Sequence, residues 1–390
     1  MQEAVVTNEA VVTPEFMAER WAYLNTSSGY EALKTLSREL ASHAEKHAPS
    51  ADLFILRGAA LQKRADWNGA SDLLIEGVEL FPERDDLLYE AALNSVDASL
   101  YARAGTLLNR LGERCTRLTD GQLRGLWRAS SLVGLHDLAR CAFDEALSRD
   151  LPAATSALND RIALAQANSA EHLKSPLPVI SIGENCFPWM VMNRWGVRSN
   201  ALSASADCIF NLAQSSTDGS ASIISCAAAD LVDSSHLESA VKAEGATPLP
   251  TNVKHGIEFN HEQGDDWVVD DFAKLKARYA PRIANFQASL SGGPRVFVHY
   301  TENPGNIERL VNAITAVNMD DNYRVVIIDA SPVERAAIAP HPMVDIVTIQ
   351  RPRTDYVWFR PDDLESADGI AFERVAAEKV LEAIRHLQPA

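Results

Sequence analysis

No apolar run in this chain approaches the roughly 20 residues that a membrane-spanning helix needs, so no membrane segment is expected. The opening stretch MQEAVVTNEAVV lacks the basic and apolar regions of a secretory signal. Cysteine is scarce: five residues, at positions 115, 141, 186, 208 and 226, with no Cys-x-x-Cys spacing. An odd number without pairing suits free thiols in a reducing compartment, and a cytoplasmic protein is expected. There is no HExxH, no P-loop, and no GxGxxG following a strand, so neither a metal nor a cofactor is expected. Positive charge is in deficit. A formal net charge of −17 argues against non-specific binding to nucleic acid or to anionic membranes.

What is present is an ordinary globular balance, 46% hydrophobic and 23% charged over 390 residues, enough for two domains. Up to about residue 170 strand signals are nearly absent and Ala, Leu, Glu and Arg dominate. Within 51–83, Phe54, Gly58, Ala70, Leu74, Gly77 and Pro82 alternate small and large residues as a close-packed helical hairpin requires. Ala104 and Leu108 recur 34 residues after Ala70 and Leu74, and Ala139, Phe143, Ala146 and Pro152 form a third, slightly longer unit. The pattern resembles tetratricopeptide repeats over residues 1–170, which implies a groove for a protein or peptide partner. A plain helical bundle propping the second domain is the other reading. Polar residues 168–175 read as the connection.

From 176 to 390 the pattern alternates. Apolar, β-branched runs at 179–182, 295–300, 323–329 and 344–350 read as strands, and helices are expected at 271–290, 306–317, 332–338 and 370–387. Such alternation predicts a three-layer α/β domain with a mainly parallel sheet, where ligands bind beyond the carboxyl ends of the strands. Cys186, Thr301 to Asn303, Asp329 and Arg351 fall at those ends. The segment 220–255 carries no clear assignment. The stretch PVISIGENCFPWMVMNRWGVR (178–198) organises the domain: a short strand ends at Gly183, and Pro188 opens an apolar helix closed by Gly196. Cys186 thus sits at a helix N-terminus, where the dipole and free amides favour a thiolate, so a lowered thiol pKa is expected. A small buried hydrophobe is the other reading.

Several motifs follow in order. Ser181-Ile182-Gly183-Glu184-Asn185-Cys186 is followed by Gly196-Val197-Arg198-Ser199, then by Ser205-Ala206-Asp207-Cys208. Phe259-Asn260-His261-Glu262, Arg278-Tyr279-Ala280-Pro281-Arg282-Ile283-Ala284-Asn285-Phe286 and Val296-Phe297-Val298-His299 complete the series. Together they resemble the bacterial papain-like cysteine peptidase family, a domain of otherwise unknown function. The resemblance implies Cys186 as nucleophile and points to His261 as the best base, with His299 next. Asp207 is the candidate orienter of the base, or else a helix cap. Asn185 would supply an oxyanion donor, and Arg198 and Arg282 would hold a substrate carboxylate or phosphate, or pair with Glu184 or Glu262. The strand–Gly-x-x-nucleophile layout also resembles SGNH (GDSL-type) hydrolases, although Ala371 stands where their histidine belongs. The fold alternatives are therefore SGNH/Rossmann-like or papain-like. Two function classes stand open: a cysteine hydrolase or acyl transferase, and a non-catalytic binding or scaffold protein with an SGNH-like ligand or glycan pocket.

Overall fold

A computed structural model describes residues 12–27, 29–198, 207–242, 246–290, 292–303, 305–318, 320–332 and 341–387. Ser199, Ser205 and Ala206 of the quoted motifs, and 333–338 of an expected helix, lie outside these residues. The described residues form 15 helices, a four-stranded parallel sheet and a small antiparallel sheet. The chain divides into two compact units, 1–114 with 241–248, and 115–240 with 249–390.

The first unit holds α1 (Pro14–Thr26), α2 (Tyr30–Ala44), α3 (Ala51–Lys63), α4 (Trp67–Leu80), α5 (Asp85–Asp97) and α6 (Tyr101–Gly112). Side-chain caps start three of them: Thr13, Ser50 and Asp66 each accept a backbone N–H from the first turn. The glycines of the α3–α4 hairpin are demanded by close approach. A Cβ on Gly58 would meet the Leu74 side chain at 2.8 Å, and one on Gly77 would meet Phe54 at 2.8 Å. Leu24, Leu36, Leu40, Leu53 and Leu56 form a core shared by α1, α2 and α3.

The second unit opens with α7 (Asp120–Leu132), α8 (His136–Ser148) and α9 (Ser156–Lys174). The turn between α7 and α8 repeats those of α3–α4 and α5–α6. Ala65, Ser99 and Gly134 each take a left-handed backbone, with φ of 62°, 59° and 81°. The next residue in each case, Asp66, Leu100 or Leu135, donates its N–H to a carbonyl five residues back, at 2.8–2.9 Å. The boundary between the units falls near residue 115. Within the second unit, Arg124, Arg128 and Trp127 of α7 all donate to Glu365, and Arg161 of α9 donates to the Leu364 carbonyl. These helices are thereby bonded to the end of the α/β part.

That part contains β1 (Val179–Ser181), α10 (Phe187–Arg194), α11 (Thr217–Ser225), β2 (Leu237–Ala240), β3 (Leu249–Asn252), β4 (Ile257–Glu258) and α12 (Ala273–Leu290). It continues with β5 (Arg295–Thr301), α13 (Ile307–Val317), β6 (Tyr323–Asp329), β7 (Val344–Thr348), α14 (Pro361–Leu364) and α15 (Ala367–Leu387). The order β1-β5-β6-β7 is parallel throughout, matching the four expected strands within two residues. Among the described strands no reversal of order occurs, so the crevice of a doubly wound sheet is not generated. On one face Ile180, Phe297, Val325 and Ile327 pack with Ile307, Leu310 and Ile314 of α13. On the other, Tyr300 stacks on Phe187 of α10, which also meets Phe372 of α15. The expected start of α12 at Asp271 moves to Ala273, because Asp270, Asp271 and Phe272 all have positive φ. The segment left unassigned, 220–255, supplies most of α11 and the strands β2 and β3, and β4 just beyond it completes the antiparallel sheet.

Candidate active site

The site is built where β1 gives way to α10. Gly183 has φ +140°, and a Cβ there would lie 2.0 Å from His299 Nδ1. Only glycine meets both conditions. The Asn185 side-chain oxygen Oδ1 accepts the Phe187 N–H at 2.9 Å in the turn at the start of α10. That turn fixes Cys186 as the N-cap residue, only 5% exposed.

Cys186 Sγ lies 3.6 Å from His261 Nε2, bringing together two residues 75 positions apart. His261 follows β4 in the motif matched above. Next to it, Glu262 is fully buried. Its carboxylate faces the guanidiniums of two arginines spaced one turn apart on α12, Arg278 with Nε at 2.9 Å and the buried Arg282 with Nη1 at 3.6 Å. Tyr279 Oη adds a hydrogen bond at 3.3 Å. Arg282 Nε also donates to Asp207 Oδ2 at 3.0 Å, and Asn211 Nδ2 donates to the other Asp207 oxygen.

These contacts decide the roles of several expected site residues. Asp207 does not orient His261; among the described residues its carboxylate is taken by Arg282 and Asn211. Arg282 bridges Asp207 and Glu262, so its guanidinium is engaged inside the protein. Arg198 is buried, and its positive charge is felt at Cys208. His299 is fully buried at the strand end, with Nδ1 2.6 Å from the Ile182 carbonyl and Nε2 3.3 Å from Thr217 Oγ1. Sequence reasoning gave no role to Arg278 or Tyr279, although the i, i+4 spacing of Arg278 and Arg282 signals one helix face. It also missed the Glu184 hub. There Oε1 accepts from Thr217 Oγ1 at 2.6 Å and lies 2.8 Å from Thr301 Oγ1, while the Glu302 N–H reaches Oε2 at 3.3 Å.

The electrostatics overturn the lowered thiol pKa. Burial first, then the Glu262 carboxylate, push the Cys186 thiol up to about 12. The helix terminus and Arg282 oppose this without winning. Burial, reinforced by Arg278 and Arg282, depresses His261 to about 4. The resting pair is therefore a neutral thiol facing a neutral imidazole.

The His261 shift has a consequence for stability. Its folded-state pKa lies below the ordinary 6.5, so the unfolded chain binds the additional proton between those values. The contribution is complete above about pH 6.5 and is lost as pH falls toward 4, on the order of 3 kcal/mol. Urea unfolding at pH 7 and pH 5 is expected to show about 2 kcal/mol of this loss, with His261→Gln flattening the dependence. An unchanged slope in that variant would count against the buried, neutral imidazole. His136, pushed to about 4 chiefly by burial, adds a second contribution of the same sign.

A mixed helix-and-sheet protein with a cysteine–histidine pair at a strand-to-helix junction is the class these observations define. Comparison with known protein families, with curated proteins and with solved structures finds no match. Among the described residues no helix is long and apolar enough to cross a membrane.

Proposed function

We propose that the second unit is a cysteine-nucleophile hydrolase or acyl transferase in which His261 is the general base. The observation that carries this reading is the 3.6 Å approach of Cys186 Sγ to His261 Nε2, within the reach proton transfer requires. Because both groups rest neutral, the thiol proton passes to Nε2 as sulfur attacks the acyl carbon, not beforehand. The carbonyl π electrons move to oxygen, where Asn185 Nδ2 donates to the developing negative charge. Collapse breaks the bond to the leaving group, which takes the proton from His261. Water or an acceptor nucleophile then attacks the thioester as His261 accepts its proton, and the carbon–sulfur bond breaks with that proton passing from His261 back to the Cys186 sulfur.

The papain-like family resemblance supports the same pairing of cysteine and histidine. The parallel sheet supports an SGNH-like arrangement over a papain-like one, although the strand order without reversal departs from doubly wound examples. In the helical region, the recurrence of one turn geometry at Ala65, Ser99 and Gly134 supports tetratricopeptide-like hairpins. We read their partner as a protein or peptide.

The second reading, a binding or scaffold protein, draws on the 5% exposure of Cys186. An activated acetyl ester separates the two. Intact-protein and peptide mass spectrometry should find the acetyl group on Cys186 ahead of Cys115, another buried thiol pushed up to about 12 by burial and Cys141. His261→Ala should slow the acetylation about a hundredfold. Equal labelling of both thiols, unaffected by His261→Ala, would favour the scaffold.

A further inference from the structure

A second cluster lies beside the antiparallel sheet, on residues that the Cys186 site does not use. Cys226 ends α11, Asp230 lies in the turn after it, and His255 sits in the turn between β3 and β4. Cys226 Sγ, an Asp230 carboxylate oxygen and a His255 ring nitrogen all lie within 4.8 Å of one another. Two of them converge on Asp230 Oδ1: Cys226 Sγ at 3.1 Å and His255 Nε2 at 2.8 Å. The support behind them is organised. Ser222 Oγ is 2.8 Å from His255 Nδ1. The His255 N–H donates to Asn252 Oδ1, while Asn252 Nδ2 donates to the Leu231 carbonyl. Lys254 contacts the opposite oxygen, Asp230 Oδ2, and His236 Nε2 is 3.8 Å from that same atom.

We propose that Cys226, Asp230 and His255 bind a zinc ion, with a fourth position open to water or to His236.

Donor chemistry selects the metal. A thiolate and an imidazole beside one carboxylate oxygen suit zinc, whereas magnesium and calcium prefer all-oxygen sets. With zinc–sulfur and zinc–nitrogen bonds of about 2.3 and 2.0 Å, donors of a tetrahedral site stand roughly 3.2–3.7 Å apart. The two separations from Asp230 Oδ1 are a few tenths of an ångström shorter, as expected where protons and not a cation lie between the atoms. Hydrogen bonding alone gives little reason for sulfur here, since a thiol is a weak donor.

The charges and protons balance. Zinc binding displaces the thiol proton to solvent, and the dication is neutralised by one thiolate and one carboxylate. His255 presents its Nε2 lone pair to the metal, so Nδ1 carries the proton and donates to Ser222. A hydroxyl can serve either tautomer, donating to Nδ1 before the metal enters and accepting from it afterwards. That is the outer-shell support that metal-bound histidines commonly have. Lys254 holds Oδ2 and thereby directs Oδ1 toward the metal.

Zinc and cobalt(II) are to be added to the metal-free full-length protein. Equilibrium dialysis is expected to give one tight equivalent of zinc, and zinc should protect Cys226 from iodoacetamide in the unmodified sequence. Cobalt(II) should produce a sulfur-to-cobalt charge-transfer band that Cys226→Ser removes and Cys186→Ser retains. Ser222→Ala, which leaves all three ligands in place, should weaken zinc binding about tenfold to a hundredfold. Absence of a stoichiometric site overturns the proposal. So does a band that survives Cys226→Ser but disappears in Cys186→Ser, since the metal would then sit on the Cys186–His261 pair.

Discussion

Replacing Glu262 by glutamine is expected to destabilise the second unit by about 3–5 kcal/mol, the usual consequence of removing one partner from a buried ion pair. The side chain is fully buried, and its carboxylate balances Arg278 and Arg282 while Tyr279 donates to it. Glutamine keeps the shape and loses the charge, leaving two guanidiniums with Asp207 as the nearest remaining counter-charge for one of them. Urea unfolding of the full chain measures the difference, and adding Arg278→Gln to Glu262→Gln should recover part of it. The same substitution is expected to change the reactive pair. Glu262 is the charge that most raises the Cys186 thiol, so where the fold holds, the alkylation profile of Cys186 should move to lower pH. A loss below about 1 kcal/mol, with an unmoved profile, would mean that water reaches the arginines.

An effect of similar size is expected for Glu373→Ala. Glu373, on α15, is fully buried and accepts from Arg194 Nη2 at 2.5 Å and from Trp195 Nε1 at 3.0 Å. Its charge also supports Arg161, whose guanidinium is pushed down to about 10, chiefly by burial. Alanine removes the counter-charge and leaves a void, which together should cost about 3–5 kcal/mol or more. A double replacement, Arg194→Met with Glu373→Leu, removes both charges and should be much less harmful than the single change. Near-equal stability of the single and double variants in urea would contradict this account of the ion pair.

The legible parts of the molecule were those where local pattern and tertiary environment agree. YRVVIID and RVFVHY are continuous β-branched and aromatic runs, and they became the two central strands of the parallel sheet. The glycines at 58 and 77 were readable because close helix packing leaves no other residue there. The antiparallel sheet was not readable. LESA and LPTN carry little strand propensity, and Pro250 argues against one, so pairing itself creates these strands. At the site, proximity of Cys186 and His261 could be anticipated from motif order, but the charge balance could not. Whether a helix N-terminus lowers a thiol depends on how much water it keeps, and at Cys186 burial and Glu262 outweigh the backbone N–H and Arg282 that act the other way. Asp207 illustrates the same limit, since an isolated aspartate does not reveal that an arginine 75 residues later will claim it.

Glu365 and Glu373 also set an order of events during synthesis. Arg124 meets Glu365 only after 241 further residues have been added, which at about 5–20 residues per second takes roughly 10–50 s on the ribosome. Through that interval Arg124 and Arg128, and later Arg194, lack the carboxylates that stabilise them in the finished fold. Helices α7 to α10 can form locally, yet they cannot be locked until α15 emerges. The second unit is therefore expected to complete its folding only after α15 has been translated.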